Sequence, residues 1–225
     1  MLDNIKERLM SRLPPPHQPI TDIRIDIKTD KIVLDMKLIT TKNVTVTYCK
    51  ENFKNFVEDF LKILRHQSEV LDFFCVFNHQ ENDQSMNRIS KTLLDSSRTS
   101  LEKLKVKSID LVSMGCMKTA MDIIFSLDSR ELKSINLIFN GKEISDFDEI
   151  YGLVRWNQGE RLRLEVMVNH FSIQNMRAVR ELLHHPSIFE SITIHYKSIG
   201  DKDVEAFFAP FLPKKEFDHC LEFSF

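Results

Sequence analysis

The segment "LEKLKVKSIDL" at residues 101–111 begins with a spacing of apolar residues, Leu-x-x-Leu-x-Val, that recurs along the chain. The recurring spacing begins at Thr41, Val70, Leu101, Leu132, Gly159, Phe189 and Asp218. Successive copies are about 30 residues apart, a period typical of leucine-rich-repeat solenoids. In such solenoids one strand-helix unit cannot bury its apolar face without its neighbours. The repeat therefore predicts an α/β fold, an irregular leucine-rich-repeat-like solenoid of alternating strands and helices.

The segments between the copies show the apolar spacing of amphipathic helices. Predicted helices cover residues 52–66, 84–96, 117–127, 145–156, 172–185 and 201–212. Ser145 and Ser172 are start signals for two of them, and Pro186 ends the helix that begins at Ser172. The alternation of strands and helices is thus predicted through most of the chain.

The N-terminal part has a different pattern. Residues 20–49 alternate apolar and polar side chains in three runs, which are broken at Thr29-Asp30 and at Thr40-Thr41. Such runs predict an antiparallel β-meander that caps the solenoid. Residues 1–19 include three consecutive prolines, which favour extended chain, so we expect a flexible N-terminal segment before a folded unit at 20–225.

Composition limits the classes of function. The 225 residues include 31 basic and 33 acidic side chains, which are interspersed and give a net charge of −2. Direct binding to nucleic acid is therefore not expected. The four cysteines lie far apart without a Cys-x-x-Cys motif, and no apolar stretch is long enough for a secretion signal or a membrane span. The sequence predicts a cytoplasmic or nuclear protein in a reducing compartment.

Motifs for chemistry are weak throughout the sequence. Gly141-Lys142 lacks the other residues of a phosphate-binding loop, and His184-His185 lacks the spacing of metal ligands. The acidic run at 146–149 is better interpreted as the first turn of a helix than as paired catalytic carboxylates. Trp156 follows a helical apolar stripe and is interpreted as a core anchor rather than a binding hot spot. We therefore expect no enzymatic activity, no cofactor and no metal.

Strand alternation predicts which side chains face the core and which face a partner. The predicted core residues are Phe73, Cys75, Leu104, Val106, Ile135, Leu137, Leu162, Leu164, Ile192 and Ile194. The predicted partner-binding residues on the opposite, concave face are Phe74, Val76, Lys105, Lys107, Asn136, Ile138, Arg163, Glu165 and His195. Apolar anchors beside cations suit an acidic or amphipathic protein segment. Two alternatives stay open: the lysines serve only solubility, or the Lys/Arg face makes the chain an RNA-associated regulatory module.

The run "IYGLVRWNQGERLRLEV", preceded by "LKSINLIF" and followed by "VNHFSI", resembles the FTH domain (domain of unknown function 38) of nematode F-box A proteins. Further similarity lies in "ITDIRIDIKTDKIVLDMKL", "VTVTYC" and "EDFLKILRHQSEVLDFF", so the resemblance extends from Ile20 onward. Arg155 and Asn157 depart from the Gln and Lys that are usual in the family.

The resemblance implies a non-enzymatic recognition module for a protein partner of unknown identity. In the family, an F-box that docks on a Skp1-type adaptor of a ubiquitin ligase precedes the domain, which is thought to select the partner. The segment "MLDNIKERLMSRLPPP" is too short for that motif. We therefore expect either the substrate-recognition half of such an adaptor or a domain that acts without a ligase link.

Overall fold

The computed structural model of the chain describes residues 18–40, 42–79, 84–99, 103–140, 146–156, 160–199 and 219–224. The strands are β1 (Ile20–Ile27), β2 (Lys31–Leu38), β3 (Asn43–Cys49), β4 (Leu71–Asn78), β5 (Leu104–Met114), β6 (Leu127–Asp128), β7 (Ser134–Phe139), β8 (Leu162–Phe171), β9 (Phe189–Ile199) and β10 (His219–Ser224). The helices are α1 (Phe53–His66), α2 (Gln84–Thr99), α3 (Met117–Phe125), α4 (Gly152–Arg155) and α5 (Ile173–Leu183), with 3-10 helices at Lys50–Asn52 and Phe147–Tyr151.

These elements form a mixed α/β fold around one open sheet. The strand order is β10-β9-β8-β7-β5-β4-β1-β2-β3, and the short β6 pairs with the start of β5. The neighbours from β1 through β4, β5, β7 and β8 to β9 are parallel. Both ends are antiparallel, with β1, β2 and β3 on one side and β10 on the other. Among the described strands, β3 and β10 form the two edges of the sheet.

The strand order places the helices on one face of the sheet. Strands β4, β5, β7, β8 and β9 are neighbours in the order in which the chain makes them, so every crossover moves in the same direction. Because such crossovers share one hand, their helices lie on the same side. Helix α1 packs on this face too, since Phe60 stacks on Phe74 of β4 at a centroid distance of 6.4 Å. We call the other side the open face.

Two rows of aliphatic and aromatic side chains form the core beneath the helices. One row crosses six strands through Ile23, Phe74, Ile109, Ile135, Leu164 and Ile192, each at most 1% exposed. The next row crosses seven strands through Ile25, Val76, Leu111, Leu137, Val166, Ile194 and Leu221, again at most 1% exposed. Close packing of this kind leaves little room for substitution.

The apolar spacing is real, but its predicted register is wrong in β4 and β5. The inward residues of β4 are Leu71, Phe74 and Val76, one position later than predicted. The register therefore brings Phe73 and Cys75 to the open side, where Phe73 is half-buried and Cys75 is 5% exposed without joining the core cluster.

In β5 the motif begins at Val106 and continues through Ile109 and Leu111, five positions after the segment that first suggested it. Leu104 is only half-buried and packs at the margin of the core. Val106 and Ile109 are three positions apart, an odd number, so simple alternation from Val106 assigns the rest of β5 to the wrong faces.

The other core predictions are confirmed. Val106, Ile135, Leu137, Leu162, Leu164, Ile192 and Ile194 are all buried. The N-terminal meander is also confirmed, with turns at Lys28–Asp30 and after Leu38. The copies predicted at Thr41 and Asp218 differ from the others, because they overlap the antiparallel strands β3 and β10.

Helix ends agree with their sequence signals where the structure describes them. Ser172 caps α5 in a capping box with Asn175, and the helix ends before Pro186 as predicted. The acidic run falls in the first turn of the 3-10 helix at Phe147–Tyr151, and Trp156 packs edge-on against Phe125 at 5.9 Å. Ser145, residues 1–17 and the predicted helix at 201–212 lie outside the described residues.

Candidate functional site

The open face carries a continuous apolar stripe. We define the stripe as Phe77, Val112, Ile138 and Met167, which are paired across β4, β5, β7 and β8. The first three side chains are half-buried, and Met167 is 38% exposed. The helices bury the other side of these strands, so the stripe lies where a second molecule can reach it.

A row of polar and acidic residues lies next to the apolar stripe. We define the acidic row as Asp110, Asn136, Glu165, Thr193 and Glu222, which are paired from β5 to β10. Asp110, Asn136 and Glu165 each precede a stripe residue by two positions, so the two rows run side by side on β5, β7 and β8. The acidic row continues beyond the stripe onto β9 and β10.

Burial affects the carboxylate nearest the centre of the sheet. Desolvation raises the pKa of Asp110 above its usual range, although a hydrogen bond with the Asn136 side chain lowers it in part. Glu165 has an ionisable neighbour, since its Oε1 lies 3.0 Å from Nε2 of His195. Two carboxylates of the acidic row, Asp110 and Glu165, thus each contact a side chain of the next strand.

Ion pairs occupy the edge of the open face where the strands begin. Lys107 Nζ lies 2.7 Å from Asp72 Oδ1. Arg163 donates two hydrogen bonds to Glu190, at 2.8 and 3.0 Å. These cations are compensated by carboxylates of adjacent strands, so they do not form the free basic patch that an RNA-associated module would use.

The structure brings together most of the predicted partner-binding residues but not all of them. Asn136, Ile138, Arg163, Glu165 and His195 lie on the open face. They come from three adjacent strands, β7, β8 and β9. A site on this face is therefore built from residues that are far apart in the chain.

Two predicted residues of β4 do not belong to the open face. Phe74 and Val76 are 0% exposed and pack under the helices. The inward residues of β4 are odd-numbered at Leu71 and even-numbered from Phe74 onward. The assignment of Phe74 and Val76 to the concave face is wrong. The residue of β4 that belongs to the apolar stripe is Phe77.

The two predicted lysines lie apart from the stripe. Lys105 precedes Val106 and pairs in register with Asp128 of β6, away from the acidic row. Lys107 lies at the start of the face, in its ion pair with Asp72. Neither lysine is beside Ile138 or Met167.

Sequence reasoning missed Phe77, Val112 and Met167, together with Asp110 and Glu222. The signal that would have found the first two is the same repeat spacing begun one position later in "LDFFCVF", at Leu71, and five positions later in "VKSIDLV", at Val106. With the repeat placed there, alternation from Phe74 and Ile109 assigns Phe77 and Val112 to the open face.

The cysteines differ in burial, from the exposed Cys49 to the buried Cys75. All four cysteines are free, and burial raises the pKa of the Cys75 thiol to about 11, so it stays protonated near neutral pH. No group of three or more His, Cys, Asp or Glu residues in the described part of the chain has the arrangement of metal ligands.

A pocket lies on the helical side of the sheet. This pocket of about 420 Å³ is lined by Asp146, Asp148, Glu149, Tyr151, Gly152 and Arg155. Asp146 has a structural role there, since its carboxylate accepts hydrogen bonds from the backbone N–H groups of Met117 and Lys118 at 3.0 and 2.7 Å. These bonds give acceptors to two of the backbone N–H groups in the first turn of α3, which have no partner within the helix.

Comparison with protein families supports the resemblance found in the sequence. A family model for the FTH domain matches residues 87–176. The match runs from α2 into α5 and includes Val112, Ile138 and Met167 of the apolar stripe. The resemblance to the FTH domain is confirmed over that range, while residues 20–86 and 177–225 lie outside it. No curated protein and no solved structure is significantly similar to the chain.

None of the helices in the described ranges is long and apolar enough to cross a membrane.

Proposed function

We propose that this chain is a non-enzymatic protein-protein interaction module that holds its partner on the open face of the sheet. The observation that carries the proposal is the apolar stripe, which leaves Met167 38% exposed beside half-buried Ile138. Large apolar side chains in a contiguous row at the surface of a folded domain are characteristic of interaction sites. The match to the FTH domain, a family associated with F-box proteins, is compatible with this role.

The finer form of the proposal concerns architecture and cellular context. We interpret the parallel strands, adjacent in chain order, as an irregular leucine-rich-repeat-like solenoid whose open face corresponds to the concave binding side. We further propose that the module recognises the substrate of an F-box-type ubiquitin-ligase adaptor. Its link to a Skp1-type adaptor would then require an F-box. A cytoplasmic or nuclear location would suit that role.

Site-specific photo-crosslinking tests the proposal. A photoreactive amino acid replaces Met167 or Ile138 on the open face, and matched variants carry it at the exposed Lys118 of α3 or Arg177 of α5. After irradiation in native extract, crosslinked proteins are identified by mass spectrometry. We expect the same partner to be crosslinked from both open-face positions and from neither helical position.

Crosslinking of one partner from Lys118 and Arg177, with none from Met167 or Ile138, would place recognition on the helical side and overturn the proposal. Melting temperatures of all four variants serve as the folding control.

A further inference from the structure

The charges of the open face are unequally compensated. Arg24 pairs with Asp26 at 3.0 Å, Lys107 pairs with Asp72, and Arg163 pairs with Glu190. Asp110 and Glu222 form no ion pair with a lysine or arginine of the described residues. The ionisable partner of Glu165 is His195, which carries a charge only when it is protonated. The uncompensated charge beside the apolar stripe is therefore negative.

Two basic residues lie beside the stripe: Arg24, which is paired with Asp26 and lies 5.9 Å from the centre of the Phe77 ring, and Lys197 at the opposite margin. Lys197 follows His195 by two residues on β9 and is exposed. It lies on the side of the stripe that is away from Glu165 and Glu222. On β5 and β8, the side of the stripe that faces the acidic row thus carries the carboxylates Asp110 and Glu165, and the acidic row continues to Glu222 on β10.

The backbone of the sheet limits the form of a partner. Strands β5, β7 and β8 are paired on both sides, so their N–H and C=O groups are already used in the ladders. A partner that lies on the stripe must therefore satisfy its own backbone groups. An α-helix does so within itself, whereas an added strand would need a free sheet edge.

The dimensions of a helix match those of the stripe. Neighbouring strands are about 4.8 Å apart, so the stripe from Phe77 on β4 to Met167 on β8 covers three intervals, or about 14 Å. A helix rises 5.4 Å per turn, so roughly three turns laid across the strands place one apolar side chain near each strand. The acidic row lies two residues away along each strand, about 7 Å, within reach of Lys or Arg from the same helix.

We propose that the open face binds an amphipathic α-helix whose apolar face packs on Phe77, Val112, Ile138 and Met167 and whose lysines or arginines contact the acidic row. The inference rests on the proposed function and reverses the polarity expected from the sequence, which was an acidic or amphipathic segment beside lysines. The burial of Asp110 agrees with it, because a desolvated carboxylate gains most from an incoming cation.

Binding of two matched synthetic peptides tests this inference. One peptide of roughly 15 residues has Leu in the i, i+3, i+4, i+7 pattern and Lys elsewhere, and the other has Glu in place of every Lys. Fluorescence anisotropy with the full chain measures their affinities. We expect the Lys peptide to bind at least about tenfold more tightly than the Glu peptide, with an affinity that falls as salt increases.

Three protein variants locate the contact. Met167→Glu should weaken binding of the Lys peptide at least about tenfold if the stripe is the anchor. The double variant Glu165→Lys with Glu222→Lys should bind the Glu peptide better than the Lys peptide. Arg177→Glu on α5 is the control, because it changes the same kind of exposed charge on the helical side and should leave both affinities unchanged.

Several results would overturn the inference: equal binding of the two peptides, binding of neither, or preference for a single-stranded RNA probe. Binding of the Lys peptide that survives Met167→Glu would do so as well. The proposed function fails separately, since crosslinks of a native partner from Met167 would persist if only the class of partner were wrong. Loss of those crosslinks would mean that the open face does not bind the partner.

Discussion

The two faces of the sheet are made from alternate residues of the same strands, yet they differ in chemistry. On β8, Leu164, Val166 and Val168 are at most 2% exposed, while Glu165 and Met167 between them are exposed. The covered face holds aliphatic and aromatic side chains that the helices exclude from water. The open face mixes charged residues with a row of half-buried apolar ones. Folding explains the first face, whereas the second contains apolar groups that no helix covers and carboxylates without cationic partners in the described residues.

The largest change in stability that tests this difference is expected from two adjacent phenylalanines, Phe73 and Phe74. Phe74→Ala should lower the free energy of unfolding by about 3 to 5 kcal/mol, because it removes a fully buried ring from the core row and from its stack on Phe60. Phe73→Ala should cost about 1 kcal/mol or less, since that side chain is half-buried on the open side. Urea unfolding of both variants gives the comparison. A larger loss at Phe73 would restore the register predicted from the sequence.

A smaller effect is expected where a side chain holds the helical layer together. Asp146→Ala should destabilise the protein by about 1 to 2 kcal/mol, since two backbone N–H groups at the start of α3 lose their acceptor. Asp148→Ala changes an exposed carboxylate of the same pocket and should cost less than about 0.5 kcal/mol. Thermal unfolding distinguishes the two. Equal losses would mean that the pocket's carboxylates act as a group rather than through the cap.

The open face should respond to pH in the opposite sense from an ordinary ion-paired carboxylate. Because burial raises the pKa of Asp110 in the folded state, its ionisation opposes folding as pH rises through that value. Asp110→Asn should therefore stabilise the protein at neutral pH, by less than about 1 kcal/mol after solvent screening. The gain should disappear below the pKa of aspartate in the unfolded chain, where both states are protonated.

Asp128 supplies the reference for that experiment. Its hydrogen bonds with Arg130 lower its pKa, so its contribution to stability is present above the unfolded pKa and is lost as pH falls through the folded value. Asp128→Asn should destabilise the protein at neutral pH and have little effect in acid. Urea titrations at several pH values measure both variants. The same sign for both would contradict the electrostatic difference between the two sites.

The smallest effect is expected from the ion pairs at the edge of the open face. Lys107→Ala removes an exposed pair with Asp72, and such pairs contribute little because water screens both charges. The melting temperature should stay within experimental error of the unmodified protein. A clear drop would show that Lys107 has a packing role that its exposure does not indicate.

The sequence predicted the kind of fold better than it predicted the details of the faces. Apolar spacing correctly indicated alternating strands and helices and the N-terminal meander, because burial of one side of each strand imposes that pattern. Seven of the ten predicted core residues are buried as expected and belong to the core cluster. Cys75 is also buried, but it lies outside that cluster.

The errors come from where the repeat was placed in β4 and β5. Its inward residues begin at Leu71 in β4 and at Val106 in β5, one and five positions later than predicted. A shift of an odd number of residues moves every later side chain to the other face. That is why Phe74 and Val76 were assigned to the open face, and why the stripe beside Phe77 was missed. The pairing of distant strands, which sets the acidic row, is not encoded in any local pattern.

Thiol labelling of two adjacent residues tests most directly whether one face is core and the other is open. Val166→Cys and Met167→Cys are prepared separately and treated with a thiol reagent, and mass spectrometry of the peptides reports the rate at each site. The exposed native Cys49 is the reference within each molecule. Cysteine at 167 should react at a rate close to that of Cys49, and cysteine at 166 should react only after denaturation. Protection of residue 167 in the native protein, or fast reaction at 166, would contradict the assignment of the two faces.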